Sequence, residues 1–444
     1  MSRTNDSPEL PRTPAGVQLA WYLDRITPSA QGASDADSDR FSNSCHKRWA
    51  VSGNDVSGQW RRLSAEVAPV HIDSIEVSEP LKLTVQVTGR SDKRWRVTLA
   101  VEAIEPHRIT RLAWDRVFEF EVTVREATEA DGPDLAEIER QCPLVLDDAT
   151  VTFDRGDDYF AFARLMEDVT VGMGFVDGVP AAINCGAAHD VLIGGERRRI
   201  MTAIHTRVLP QYQGKGLWGA VSRLLGDRYA QPLTAGSQGF VSVNNTAMQK
   251  GFANTPNKWP TQALRCQINT NSLAGTEIGR PASPADGPLI AELLNAFHGG
   301  EEMYIPYTVE SLVARLERAP RQYSWDRVWL TDNAIVGVWP AGESIRVLID
   351  EKGVPTESRR GLVLDYGFVP GAEGEFESLL RAWCGWLAGR DFDTLSIFTS
   401  EQSHGYDLLR RLATEIDAFD MWTPGIEAPG GADKSGLYVD QIYF

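Results

Sequence analysis

Residues 208 to 221 read VLPQYQGKGLWGAV, with three glycines, a lysine and two glutamines between a strand-like run and a helix-like run. Such a corner can be a plain turn. It can also present backbone N–H groups to an anion, because the first N–H groups of a helix have no internal acceptor and the positive end of the helix dipole adds to them. Gly214, Gly216 and Gly219 let a phosphate approach the backbone without meeting a Cβ, and Lys215 adds a positive charge. A diphosphate fits that description.

Two common nucleotide motifs fail on context. Residues 214–219, GKGLWG, match the dinucleotide pattern G-x-G-x-x-G, but they follow hairpin-type strands rather than a first parallel strand. The next strand-like run, GFVSVNN, ends in asparagines where that pattern needs an acidic residue. A phosphate-binding P-loop needs Ser or Thr after its lysine, and Lys215 is followed by Gly216.

The elements around the corner fall into three segments after a polar, disordered lead-in over 1–14. In 15–116, AGVQLAWYLDRI and VSGQWRRLSAEV carry apolar residues at helical spacing. HIDSIEVSE, LKLTVQVTG, RWRVTLAVEAI and HRITRLAW then alternate as four strands. This predicts a small α+β domain with a four-stranded antiparallel sheet, and its pattern resembles the cystatin-like domains often attached to enzymes. In 117–270 strands and helices mix: a strand FEFEVTVREAT, a helix EADGPDLAEIERQC, a helix DYFAFARLME, and a hairpin turning at Asp177-Gly178. Next come the strand RRRIMTAIHTRVL, the corner, the helix LWGAVSRLLGDRYA, GFVSVNN, a short helix TAMQKGF, and a strand ALRCQIN. Segment 271–444 repeats that order, from PADGPLIAELLNAF through the helix EFESLLRAWCGWLAG to a final strand GLYVDQIYF. TNSLAGTEIG is the expected hinge.

Val208, Pro210, Gln213, Gly214 and Gly216, between strand and helix, resemble the acyl-CoA loop of the GNAT acetyltransferase superfamily, and SVNNTAMQKGF is similar to that family's later strand and Asn turn. The resemblance implies two tandem GNAT-like domains of mixed α+β and α/β character behind the small domain, with 117–270 catalytic and 271–444 degenerate. It implies acetyl-CoA or another acyl-CoA as co-substrate and an N-acyltransferase, with acetyl the expected group, acting by direct attack in a ternary complex. The diphosphate would lie on the amides of Gln213, Gly214, Lys215, Gly216, Leu217, Trp218 and Gly219. The pantetheine arm would run along Thr206 and Val208 and meet Asn245. Trp218 stands where the family has Gly or Ala; the alternative register, Gln211-x-x-Gly214-x-Gly216, breaks the spacing from the strand. No Tyr lies between Asn245 and Phe252, where many members carry a general acid. In the second copy Glu373, Glu375 and Glu377 crowd the equivalent corner, FVPGAEGEFES, which predicts a copy that does not bind CoA.

His205, on the strand entering the corner, is the candidate base; the alternative is a packed strand histidine. Tyr212 is a candidate acid. Asp154, Asp157, Asp158 and Tyr159 are candidates for the acceptor side, where the acidic residues could draw in a cationic amine or simply cap and solvate a loop. NTPNKW, near Trp259, is either acceptor lining or an ordinary loop.

Composition bounds the partners. Over 444 residues, 42% are apolar and 24% charged, as in a globular protein of several domains. A net charge of -17 argues against nucleic acid. No run approaches the ~18 apolar residues of a membrane span. Five scattered cysteines without a CxxC predict a reduced cytoplasmic protein, and seven histidines without metal spacing predict no metal. The expected partner is a small-molecule amine, the expected assembly a monomer with an internal pseudo-dimer or a homo-oligomer. A non-catalytic acyl-CoA-binding or regulatory protein, or an interaction scaffold, is the alternative.

Overall fold

Thr13 opens the first helix: its Oγ1 accepts the Gly16 N–H at 3.2 Å and Pro14 lies in the first turn, so α1 runs Pro14–Arg25. In the computed structural model, which describes residues 8–26, 35–46, 63–64, 67–90, 93–117, 120–146, 149–229, 235–252, 257–273, 275, 279–351 and 353–443, α1 packs on a meander of β1 (His71–Glu79), β2 (Lys82–Thr88), β3 (Arg94–Val101) and β4 (Ile109–Arg116). Alternate residues Leu83, Val85, Val87, Val97 and Leu99 face Leu19 and Tyr22 of the helix. The helix expected over 56–67 falls almost entirely outside the described residues.

The first half of the remainder holds β5 (Val122–Glu126), α2 (Gly132–Gln141), β6 (Leu144–Val145), β7 (Thr150–Asp154), β8 (Val169–Val176), β9 (Val179–Ile193) and β10 (Glu196–Val208). It continues with α3 (Leu217–Tyr229), β11 (Ser237–Ser242), α4 (Thr246–Phe252) and β12 (Ala263–Asn269). The second half holds β13 (Arg280–Pro281), α5 (Gly287–His298), α6 (Val309–Arg318), β14 (Val328–Leu330), β15 (Ala334–Trp339), β16 (Arg346–Glu351) and β17 (Val354–Ser358). It ends with β18 (Arg360–Phe368), α7 (Glu373–Ala388), β19 (Thr394–Thr399), α8 (Tyr406–Leu412) and β20 (Glu415–Trp422).

The halves open alike. Thr128 and Asp131 form a capping box before α2, with Asp131 held by Arg125 at 2.6 Å; Ser283 and Asp286 do the same before α5, with Asp286 held by Arg280 at 2.5 Å. Both halves feed one twelve-stranded sheet, ordered β13-β14-β15-β18-β19-β12-β20-β11-β10-β9-β8-β5. The closing strands are exchanged: β12 pairs with β19, and β20 pairs with β11. Each half therefore completes the other's edge. Within this sheet only β10 with β11 and β18 with β19 run parallel. The fold is mixed α+β, two halves of similar element order behind a small domain with a four-stranded antiparallel sheet. A further sheet, β17-β16-β7-β6, joins the halves at one side.

Glycines set how closely α3 lies on the sheet. A Cβ at Gly174 would come within 2.7 Å of Val221, and one at Gly172 within 2.9 Å. That close approach fixes the start of α3, and so the corner, over the end of β10.

Three local expectations are corrected. DYFAFARLME forms two separate 3-10 turns, Tyr159–Ala161 and Ala163–Leu165, in place of one continuous helix, with Tyr159, Ala161, Phe162, Ala163, Leu165 and Met166 buried. GLYVDQIYF is not a strand: Leu437 makes an isolated bridge with Glu302, Gln441–Tyr443 is a 3-10 turn, and β20 is the last strand. The hinge TNSLAGTEIG begins as a short helix, Thr270–Leu273, and its residues 274 and 276–278 fall outside the described ones. Among the described residues no helix is long and apolar enough to cross a membrane.

Candidate functional site

At its end β10 pairs with β9 as far as Val208 opposite Ala182. A 3-10 turn, Pro210–Tyr212, and a tight turn lead into α3, with Gly214 at φ 69° and Gly216 at φ 89°. Both need the left-handed region that glycine occupies at no cost. The first i→i−4 bond runs from Ala220 N–H to Gly216 O at 3.3 Å, so the N–H groups of Leu217, Trp218 and Gly219 have no acceptor within the helix. Leu217 is fully buried and anchors the turn, while Trp218 is 47% exposed. Gln213 Nε2 donates to Val208 O at 3.1 Å. The Lys215 ammonium lies 5.6 Å from the Tyr212 ring centroid and 5.9 Å from that of Phe120.

Next to this corner the sheet opens. β10 and β11 pair only at Met201 with Ser237 and Thr202 with Gln238. Beyond Thr202, β10 keeps only β9, and β11 keeps only β20, over Gly239–Ser242. From Thr202 toward the corner the facing edges are not paired with each other, and the space between them forms a wedge closed at Thr202 and Gln238. Regular pairing of β10 with β9 also breaks between Ile204 and Arg207, and His205 sits in the bulge at φ 50°.

The floor of the wedge is polar. Thr202 Oγ1 accepts from Gln238 Nε2 at 2.9 Å and meets His189 Nε2 at 2.8 Å. Burial pushes the His189 pKa down to about 4, and its ring stacks on Tyr443 with centroids 3.9 Å apart. Gln238 is 6% exposed, and its Oε1 has no partner among the described residues. None of these residues was picked out from the sequence. The signal was the Gly194-Gly195 turn of the β9–β10 hairpin, which fixes the register that brings His189 beside Thr202.

On the α2 side, Arg155 and Glu139 form a buried ion pair, and Arg155 Nη2 donates to His205 Nδ1 at 2.8 Å. A guanidinium only donates, so Nδ1 accepts and the neutral ring carries its proton on Nε2. Burial first, then Arg155 and Arg207, hold the His205 pKa well below its usual value. Arg207 reaches Glu139 at 3.5 Å, and Phe162 packs 4.4 Å from the His205 ring. Thr206 Oγ1 donates to Asn184 on the α3 side at 2.9 Å. Tyr159 is buried, its hydroxyl unpartnered among the described residues.

The other expected residues are spread out. Asn245 caps α4, with its Oδ1 accepting the Met248 N–H at 3.1 Å. Asp158 is clasped by Arg164 at 2.7 Å and Asp154 by Arg346 at 2.5 Å, and the exposed Asp157 is the one of the three with no ion pair among the described residues. Tyr212 belongs to the corner and packs 5.8 Å from Phe120. Trp259 is buried in the core, Lys258 pairs with Asp420 at 2.7 Å, and residues 254–256 fall outside the described ones.

No family model and no curated protein matches the sequence. Solved structures do match in shape. Saccharomyces cerevisiae N-myristoyltransferase with bound myristoyl-CoA superposes with TM-score 0.51 at 10% identity, over 73% of this chain and 90% of that one. A second structure of that enzyme with myristoyl-CoA gives TM-score 0.52 at 10% identity, over 73% and 86%. The fold is shared with N-myristoyltransferase. A conserved protein from Enterococcus faecalis V583, described as a probable N-acyltransferase, superposes with TM-score 0.37 at 11% identity over 68% of this chain and 71% of that one.

Proposed function

We propose that the protein is an acyl-CoA-dependent N-acyltransferase that moves an acyl group to the amine of a small molecule by direct attack within a ternary complex. The observation that carries this reading is the wedge between β10 and β11 ending at the glycine corner. Unpaired backbone edges need partners, and an extended arm with amides supplies them. Free helical amides and Lys215 suit the diphosphate at the other end of that arm. Thr206 and Val208 line the β10 edge, and Asn245 shapes the end of the β11 edge through its cap.

The chain's chemistry follows from position. The amides at the His205–Thr206 bulge, released from regular pairing with β9, are the donors for the oxyanion that forms when an amine attacks the thioester carbonyl. His205 is assigned a positioning role in place of the base expected from the sequence. Arg155 occupies its Nδ1 lone pair, and the ring offers an N–H. Tyr212 lies beyond the end of β10, roughly 20 Å of strand from the floor at ~3.3 Å per residue, so it serves the corner and water protonates the leaving thiolate. The paired Asp154 and Asp158 organise the loop, which leaves Asp157 to face a cationic acceptor.

Incubating the full chain with acetyl-CoA and a panel of amines, and following free thiol and acylated product, tests this reading. Amine-dependent thiol release supports it. Tight CoA binding without release with any amine favours the non-catalytic acyl-CoA-binding alternative, a reading drawn from the lack, among the described residues, of a free titratable base at the wedge. Absence of CoA binding ends both and leaves the scaffold.

A further inference from the structure

The sheet of the small domain covers α1 with one face only. Leu83, Val85, Val97 and Leu99 turn toward the helix, so Lys82, Thr84, Arg96, Thr98, Ala100 and Arg111 turn the other way. β1 shifts register against β2 twice, between Ile72 and Ser74 and between Ile75 and Val77, and β3 shifts against β4 after Ala100. Such irregularities bend and twist a strand. The outer face is hollow as a result: Thr84, in its middle, is only 4% exposed although it faces away from the core. The hollow measures about 550 Å³, a size that suits a small molecule, and Glu76 and Val77 complete its lining.

Its polar groups are nearly all donors. Glu76 is the single acid of the lining, and Arg96 and the Gln86 amide occupy both of its oxygens. Thr84 and Thr98 share one hydrogen bond at 3.2 Å, so one hydroxyl proton of the pair is left to donate. Lys82 and Arg111 flank Ala100 in register, on strands roughly 10 Å apart. Both are exposed, and neither has an ion pair among the described residues; Glu79, opposite Lys82 in the hairpin, makes none with it. Three cations less one carboxylate leave the lining at +2, in a chain whose net charge is -17. A phosphate monoester answers that set: it carries roughly -1.5 to -2 charge at pH 7 and offers three strong acceptor oxygens. Val77 and Ala100 add an apolar surface for the body that bears it.

We propose that this hollow binds a small phosphate monoester, held between Lys82 and Arg111 with Arg96 in its wall. The site is separate from the wedge and does not depend on the acyl-CoA reading. It borders the junction with the larger part of the chain, since Arg96 stands in register with Asp115, whose carboxylate pairs with Arg223 of α3 at 2.9 Å.

Calorimetric titration of the full chain with phenyl phosphate, in low-salt buffer, tests the proposal, with phenol as the same body lacking the phosphate. One saturable site for phenyl phosphate and none for phenol is the expected result. Lys82→Gln and Arg111→Gln should each weaken it at least tenfold with Tm unchanged, because neither side chain is engaged elsewhere. Lys93→Gln, an exposed lysine at the opposite end of the same sheet, should leave it unchanged. No saturable binding, equal binding of phenol, or equal weakening by all three variants overturns the proposal. So does binding that is lost in Gly219→Glu and kept in Lys82→Gln and Arg111→Gln, which would put the phosphate at the glycine corner. CoA carries a phosphate monoester on its ribose, so the same chains are titrated with CoA and with dephospho-CoA. A Lys82→Gln loss confined to CoA assigns the bound phosphate to that molecule, and phenyl phosphate binding with CoA unaffected assigns it to a free metabolite.

Discussion

The two parallel strand pairs of the large sheet are built alike and finished in opposite ways. In the first half the corner after β10 offers amides. In the second, Gly371 at φ 92° repeats the turn, but its N–H donates to Glu373 Oε1 at 3.3 Å, and Glu375 is held at the mouth of α7 by Thr331 and Asn333 at 2.5 and 2.9 Å. The carboxylates of the chain already occupy the place of an anion. The gaps differ too. β18 and β19 pair at three positions and diverge, but Tyr366 donates across to Phe398 O at 2.8 Å, and the Gln441 amide, oriented to donate, bridges Val363 O and Ser396 O at 3.0 and 3.2 Å. Asp365 in β18, three residues before its end as His205 is in β10, is taken up by Arg315 at 3.0 Å and Tyr323 at 2.7 Å. One wedge keeps its backbone edges open, and the other fills them with its own side chains. The same backbone can serve as a cleft or as a buttress, and a handful of side chains decides which.

The largest expected effect separates the two corners. Gly216→Glu abolishes CoA binding, but φ 89° adds backbone strain to the charge. Gly219→Glu is cleaner: an added Cβ meets only Arg223, at 4.0 Å, and a glutamate in the first turn favours the helix itself. It should leave Tm level or raised while CoA affinity, read by calorimetry, falls at least a hundredfold. Gly374→Arg, where a Cβ meets nothing within 4 Å, should leave CoA affinity unchanged. Equal effects at Gly219 and Gly374 would break the comparison.

An acid-sensitivity difference comes next. His189 and His205 are held neutral on the open side, with folded pKa values below the ~6.5 of an unfolded chain. Below that value the unfolded state binds protons that the folded state refuses, so stability falls with pH, for His189 until about 4. At pH 5 its share is roughly 2 kcal/mol. Denaturant melts of wild type and His189→Gln at pH 7.5 and pH 5 should show the variant losing less on acidification; parallel losses would count against a buried neutral ring. Smaller again is Tyr366→Phe, which removes the hydrogen bond from Tyr366 to Phe398 O and should cost about 1 kcal/mol in stability with CoA affinity untouched. A drop in CoA affinity there would mean that the filled gap takes part in binding.

Much of the frame was legible because it is local. The corner, the Asp177-Gly178 hairpin and the repeated Asp-Gly-Pro starts of α2 and α5 each carry their signal within a dozen residues. The exchange of β12 and β20 was not legible, since which half a strand completes is decided by pairing more than 120 residues away. GLYVDQIYF looks like a strand because it is apolar and aromatic. It is buried for a different reason: Ile442 and Tyr443 are inserted into the core that lines the wedge, against His189. DYFAFARLME misled in the same way, since apolar spacing cannot distinguish a continuous helix from two short 3-10 turns with the same residues buried. The floor residues Thr202 and Gln238 are ordinary polar residues in strands, and they acquire meaning only where β10 and β11 part.

Calorimetric titration of the full chain with acetyl-CoA tests the central claim most directly. One site per chain, lost in Gly219→Glu and kept in Gly374→Arg, is the expected result. Two sites per chain, or one site indifferent to Gly219→Glu, would contradict it.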